Sequence, residues 1–481
     1  MKTNQTHDTQ HSQMGELGAE CLTEPPLKFA GDRLHVDPKT GIARYGPASL
    51  GEEKHPADIS IGFVGSGRTV DAARRWLQRT SQGVTGDTSN SLPDFPGFLH
   101  DRGFFSSLRH PSELVERITA QEIRQLMRRR RVAHRFEDAV CLVSEKLRLL
   151  SQRDQRPDLV ILALPDDLVR CTARVKFSDP DRGVVFRNLR RALKAEVMRH
   201  GLPTQILLPR VTEARPDARN VDHISRVAWN LYTGMFYKAG GVPWRPTALR
   251  ADTCYVGVSF YRPLGSTDNR LHTAVAQAFD DLGVGLILRG PDFQWDRSRD
   301  GPSPHLEADA AKHLLELVLR RYRAEVKREP ARVVVHKTSR FWSDELAGFQ
   351  DALKEIDQFD LVAVRPTSEL RLTRAGNYPP LRGTLFSLGS FSCLYTTGYI
   401  SALRTYPHGH VPSPLQIADH HGDTAVAELA NEILVLTKMN WNSAGFAGAL
   451  PITVRFSQRV GDIMREIPED REPAPQFKFY I

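Results

Sequence analysis

Short apolar runs alternate with amphipathic helical stretches along most of this chain, and no other feature constrains its fold so tightly. ISIGFVGSG (Ile59 to Gly67) reads as a strand running into a turn, and TVDAARRWLQ continues with helical spacing. DLVILALP (Asp158 to Pro165) is an apolar run short enough to be a buried strand, and TQILLP is another. Strands that alternate with helices pair in parallel, because each helix carries the chain back across the sheet. A second series opens at TCYVGVSFYR (Thr253 to Arg262) and continues through VGLILRG, ARVVVHK (Ala331 to Lys337) and FDLVAVRP. Helices are predicted over Phe186 to His200, over Leu271 to Leu282, within His305 to Lys327, and at the closing AVAELANEILVLTKMNW. The two series meet near Pro243–Pro246. The expectation is an α/β chain in two parts, 27–245 and 246–481, behind a disordered tail over 1–26.

The remaining bulk features mainly exclude. A chain of 481 residues has room for two or three cores. It has no apolar run of about 18 residues, so no membrane partner is expected, and its polar start, MKTNQTHDTQHSQ, is not a secretory signal. Five scattered cysteines without a C-x-x-C pair argue against a disulfide framework or zinc ribbon and fit a reducing cytoplasm. The net charge of +8 is suggestive of a polyanionic partner.

Several motifs carry a chemical and a plain structural reading. Gly65-Ser66-Gly67 comes after a strand and opens a helix, yet Val70 stands where a dinucleotide fingerprint needs its third glycine, so a tight turn is expected. His408, His410, His420 and His421, with Asp419 and Asp423, have the ligand types of a metal-dependent hydrolase, in a context that reads as a solvated loop. Arg128 to Arg131 is either a solvated helix end or a contact with nucleic acid or a partner protein. On the predicted helix from Phe186, the residues Phe186, Leu189, Leu193 and Val197 form a core face. Arg187, Arg190, Arg191 and Lys194 form a cationic stripe beside it. Gln205 and Lys238 stand further on, at element ends. Such groups can converge on a phosphate, with Arg as a fork, Lys as a point charge and Gln as a neutral donor.

In order and spacing, Arg190, Lys194, GLPTQ ending at Gln205, and the Lys238-Ala-Gly-Gly step resemble the guide 5′-phosphate pocket of the MID domain of Argonaute proteins. The second half resembles their PIWI domain, most clearly in LTKMNWNSAGFAGALPITVRFSQRVGDI and the aromatic end FKFYI. The block LKFAGDRLHVDPKTGIARYGPASLG and the length resemble short prokaryotic Argonautes that lack the N and PAZ domains.

The resemblance implies a Rossmann-like MID domain and then an RNase H-like PIWI domain. It implies that Arg190, Lys194, Gln205 and Lys238 hold the first phosphate of a guide RNA, with the carboxylate of Ile481 helping to hold Mg²⁺ there. One further basic position of the family pocket falls on Gly234. Three positions where a slicing PIWI carries metal ligands fall on Ser259, Thr338 and Gln458, so the PIWI domain is expected to be catalytically silent. The resemblance further implies a guide-loaded sensor of invading plasmid or phage DNA in a prokaryotic defence complex. Activity would lie in an APAZ-containing effector, a sirtuin-like NADase in first place and a TIR NADase in second.

Overall fold

The computed structural model describes residues 17–87, 92–179, 183–214, 222–264, 270–278, 285–295, 301, 303–406 and 411–481. In the first half, strands run in the order Thr204–Ile206, Leu159–Ala163, Asp58–Gly65, Ser107–Arg109, and Val115–Arg117 also pairs with Asp58–Gly65. Every pairing in this sheet is parallel. All five residues of Leu159–Ala163 are buried, as an uninterrupted apolar run in a two-sided sheet requires. Helices Gly67–Ser81, Val132–Ser151, Leu189–Val197 and Ile224–Lys238 cover it. The Ser66 side chain caps the first of these, and a Cβ on Gly65 would lie 2.2 Å from the carbonyl oxygen of Ala163. The glycine is there for close strand packing.

The second half is built on a nine-stranded mixed sheet. Its centre is three parallel strands, Gln358–Pro366, Arg332–Lys337 and Thr253–Tyr261. Antiparallel strands flank them: Leu415–Gly422, Phe391–Leu394 and Thr384–Leu388 on one side, Arg270–Ala278 and Leu286–Gln294 on the other. Alternation along Thr253–Tyr261 sorts its two faces. Cys254, Val256 and Val258 pack with Leu314, Val318 and Phe349 of helices Ala308–Val326 and Ser343–Ala352. Tyr255 faces the opposite core, with Ile433 and Val460 of helices Val426–Leu436 and Ile452–Met464. Each such aliphatic side chain contributes about 1.5–3 kcal/mol when fully buried. The same core continues through Trp229, Tyr232 and Ile61 of the first half, so the two sheets share one apolar interior.

Three expectations need correction. Residues 17–26 are not a disordered tail. Leu17–Cys21 pairs with Thr384–Leu388 at the sheet edge, and Glu24 is held at 2.8 Å by both Arg382 and Lys438. The stretch from Leu271 is a strand, because pairing on both of its edges satisfies the backbone that a helix would have satisfied internally. The helix predicted from Phe186 begins only at Leu189. Asn188 caps it by accepting from the Arg191 N–H, and Phe186 sits in the strand Gly183–Asn188 of a hairpin with Arg174–Asp179. The arginine run is exposed at a helix end, between helices Ala120–Met127 and Val132–Ser151, as one of its two readings expects.

Candidate nucleic-acid interface

Two buried ammonium groups define the site. Lys194, on helix Leu189–Val197, is 6 % exposed, and Lys238, the last residue of helix Ile224–Lys238, is 1 % exposed. The Lys194 Nζ donates to the main-chain oxygen of Ile481, itself buried, and the Lys238 Nζ donates to the Gln205 Oε1 on strand Thr204–Ile206. Neither is paired with a side-chain carboxylate among the described residues. Burial holds Lys194 well below the ordinary lysine range, and the charges of Lys238, Arg190 and Arg459 push the same way. Burial, then Arg190, brings Lys238 down to about 7. Burying an ammonium group beside only a neutral amide, as at Lys238, costs several kcal/mol, so the arrangement is poised for an added anion.

Arg190 lies exposed on the same helix, its own pKa drawn down first by desolvation and then by Arg459 and Arg191. A cavity of about 1120 Å³ opens beside it. Arg190, Arg191, Lys194, Arg262, Arg459 and Arg465 line it, and Asp462 is the one carboxylate among its described lining residues. A second recess of about 440 Å³ shares Arg190 and Lys194 and adds Gln205. The structure therefore brings together Arg190, Lys194, Gln205, Lys238 and Ile481.

It divides the rest of the predicted stripe. Arg187 is consumed by Glu137 and by Glu466, the latter at 2.8 Å, and it lies 4.8 Å over the Phe136 ring. Arg191 is ion-paired with Asp462. At Gly234 a Cβ would meet only Asn442 Oδ1, at 3.6 Å. Arg459 instead brings a cation into the pocket from helix Ile452–Met464, a contribution that sequence spacing missed because the residue lies 265 positions beyond Lys194. Its signal was the Arg455-to-Arg459 step, one helical turn apart.

Ser259 lies on strand Thr253–Tyr261, Thr338 just past the end of Arg332–Lys337, and Gln458 on helix Ile452–Met464. The parallel pairing of the two strands ends at Gly257 against His336, short of Ser259 and Thr338. Helix Ile452–Met464 crosses there, so close that a Cβ on Gly257 would lie 2.1 Å from the Thr453 carbonyl oxygen. Gln458 on that helix lines the large cavity. The Ser259 hydroxyl oxygen is buried without a hydrogen-bond partner among the described residues.

The described part of the histidine and aspartate cluster does not converge on one point. His420 bonds to Asp360 at 2.9 Å, within a buried network in which Arg332 bridges Asp360 and Glu432. His421 pairs with Asp419. No group of three metal-ligand side chains forms among the described residues, and His408 and His410 lie outside them. No helix among the described residues is long and apolar enough to cross a membrane.

This backbone matches known structures over nearly its whole length. Superposed on Clostridium butyricum Argonaute bound to a guide DNA and a 19-mer target DNA, it gives a TM-score of 0.67 at 16 % identity, covering 98 % of this chain and 56 % of that one. The fold is that of the Argonautes. Aquifex aeolicus Argonaute gives a TM-score of 0.57 at 15 % identity, covering 95 % of this chain and 55 % of that one. Among curated proteins, the Argonaute of Thermus thermophilus is 27 % identical over 275 residues, which is 56 % of this chain. The chain spans 36 % of that relative's length. No family model matches the chain.

Proposed function

We propose that this Argonaute-fold chain anchors the 5′-phosphate of a guide strand, reads a target through base pairing, and does not cut it. The observation that carries the reading is the pair of buried lysines without a carboxylate side chain, Lys194 and Lys238, converging with Gln205 and Arg190 beside a cation-lined cavity. A terminal phosphate brings the missing negative charge, and its oxygens accept from all four side chains. Two Argonaute structures of the same fold carry nucleic acid, a guide DNA with its target in one case and an externally bound siRNA in the other. We assign guide RNA and target DNA here. We assign Mg²⁺ beside the Ile481 oxygen that accepts from Lys194, where it fits only when the guide phosphate supplies further oxygens.

Silence rests on chemistry at three positions. Ser259, Thr338 and Gln458 have no anionic oxygen, and two-metal phosphodiester cleavage needs carboxylates to hold its ions. Signalling then passes to a partner. We place the chain as the sensor of a defence complex, with an APAZ-containing NADase, sirtuin-like before TIR, as the effector.

The test compares 5′-phosphorylated and 5′-hydroxyl strands, RNA and DNA, on wild type and on the Lys194→Ala, Lys238→Ala double variant. A phosphate preference of about 10–100-fold is expected in wild type, as for hydrogen bonds to a charged group, and its loss in the variant. Equal binding of both strands overturns the pocket. Guide-directed cuts in a complementary target by the pure chain, with Mg²⁺ or Mn²⁺, overturn the silent reading.

A further inference from the structure

Helix Ala120–Met127 starts at a capping box, in which Thr119 and Glu122 satisfy each other's backbone N–H groups, and of its eight residues Leu126 alone is buried. Ile123 and Met127, one turn apart, are only half-buried. With Cys171 of the short helix Asp166–Thr172 they line a groove of about 560 Å³. Arg124, Arg128 and Arg170, all exposed, line the same groove. Asp167 is the one carboxylate among its described lining residues, and it is paired with Arg170 at 2.9 Å. Past the helix the basic run continues through Arg130 and Arg131, both exposed, to Val132, which is 46 % exposed. Arg129 is paired with Asp138 at 2.6 Å. Arg124, Arg128, Arg130 and Arg131 form no ion pair with a described carboxylate.

Arginines this close repel one another, and a partner's carboxylates would relieve that repulsion. The guanidinium fork matches a carboxylate with two hydrogen bonds, and the flexible thioether of Met127 adapts to the shape of an apolar side chain. An aliphatic floor with a cationic rim therefore selects a partner that carries apolar anchors between acidic residues. Single-stranded nucleic acid fits less well, because it is held by stacking on aromatic rings, and none is among the described lining residues. Residues 1–16 of this chain have Asp8 and Glu16 as their only carboxylates, so they do not match the rim either. We propose that this groove docks an acidic amphipathic segment of a protein partner, in the helix-in-groove manner. Apolar side chains one helical turn apart would seat on Ile123 and Met127, and flanking Asp or Glu side chains would pair with Arg124, Arg128 and Arg170. The groove and the cation-lined cavity have no described lining residue in common, so docking and guide anchoring are separable.

The experiment uses the full chain and fluorescein-labelled helical peptides of about 15 residues, long enough for several turns. One carries leucines at i and i+4 flanked by glutamates, a second has serines in place of the leucines, and a third has lysines in place of the glutamates. A 5′-hydroxyl single-stranded oligonucleotide is the remaining probe. The acidic leucine peptide is expected to bind about tenfold or more tightly than either of the other peptides. Arg124→Glu with Arg128→Glu is expected to weaken it by about tenfold or more and to gain binding of the lysine peptide, since like charges across an interface repel. Met127→Ala is expected to weaken the acidic peptide by about fivefold, as for loss of one seated apolar contact. Both arginines are exposed, so the charge-reversed variant is expected to keep wild type's melting temperature and its preference for a 5′-phosphate. Equal binding of the peptides, or acidic-peptide binding untouched by charge reversal, refutes the docking site. So does a failure of the acidic leucine peptide to bind at about 100 µM. If charge reversal abolishes oligonucleotide binding while the acidic peptide does not bind, the face is a nucleic-acid contact and the proposal falls.

Discussion

Raising the pH from 7.0 to 8.5 should weaken binding of a 5′-phosphorylated strand, and Lys238 determines by how much. In the unloaded pocket burial and Arg190 hold this ammonium group at about 7. A bound phosphate places negative charge beside it and drives its pKa back up. Well below pH 7 the lysine is already charged, so binding takes up no proton there. Above pH 7 it is neutral in the free protein and charged in the complex, so each binding event consumes a proton, and affinity falls as pH rises. With a free pKa of about 7 and a bound pKa well above 8.5, the affinity ratio between pH 7.0 and 8.5 is on the order of 10-fold, or about 1–2 kcal/mol. Lys194, held low for the same reasons, acts in the same direction. The phosphate's own second ionisation, near pH 6, is complete across this window and adds little. Anisotropy titrations at fixed ionic strength give the slope. Calorimetry in two buffers of different ionisation enthalpy counts the protons. Lys238→Arg keeps a cation that does not titrate, so it should bind with a visibly shallower slope. An identical slope in wild type and Lys238→Arg, or no slope in either, refutes the linkage.

The remaining predictions concern stability. Without ligand, Lys238 binds fewer protons folded than unfolded between about pH 7 and 10.4, so the melting temperature of the free protein should rise with pH through that window. Lys238→Met should flatten the rise, and an unchanged profile in differential scanning fluorimetry contradicts it. Glu24→Gln removes the carboxylate that Arg382 and Lys438 share, both nearly fully buried, and should cost about 3–5 kcal/mol in urea unfolding. A loss under about 1 kcal/mol would show that Leu17–Cys21 is held by strand pairing alone. Gly257→Ala puts a methyl group 2.1 Å from the Thr453 carbonyl oxygen and should cost about 1–3 kcal/mol or more, because backbone has to move. A neutral outcome would mean that helix Ile452–Met464 slides freely over the sheet.

The parts of this molecule legible in its sequence are those with local causes. Leu159–Ala163 is a strand because five apolar residues in a row admit few alternatives, and the turn at Gly65-Ser66 arises from a cap and a tight strand contact. The misreadings occur where distant partners override local pattern. The stretch from Leu271 has plausible helical spacing, yet two neighbouring strands recruit it, and no periodicity reveals neighbours. Phe186 fits a helical core face by spacing, but Asn188 starts the helix three residues later and turns the ring outward.

The pocket combines both cases. Arg190, Lys194, Gln205 and Lys238 all lie within the first half, and their chain order could be read directly. The two groups that complete the site, Arg459 and Ile481, come from the second half. Lys194 is therefore shared: it is carried by the first half, it donates to an oxygen of Ile481 in the second, and its pKa is lowered by burial and then by cations of both halves. An anion bound there contacts both halves at once and neutralises repulsion between them. Phosphate binding should then tighten the junction of the two halves as well as hold the strand. Exchange of amide hydrogens in helix Ile452–Met464, followed with and without a 5′-phosphorylated strand, separates this from local binding. Slower exchange confined to Leu189–Val197 would mean that the anion belongs to the first half alone.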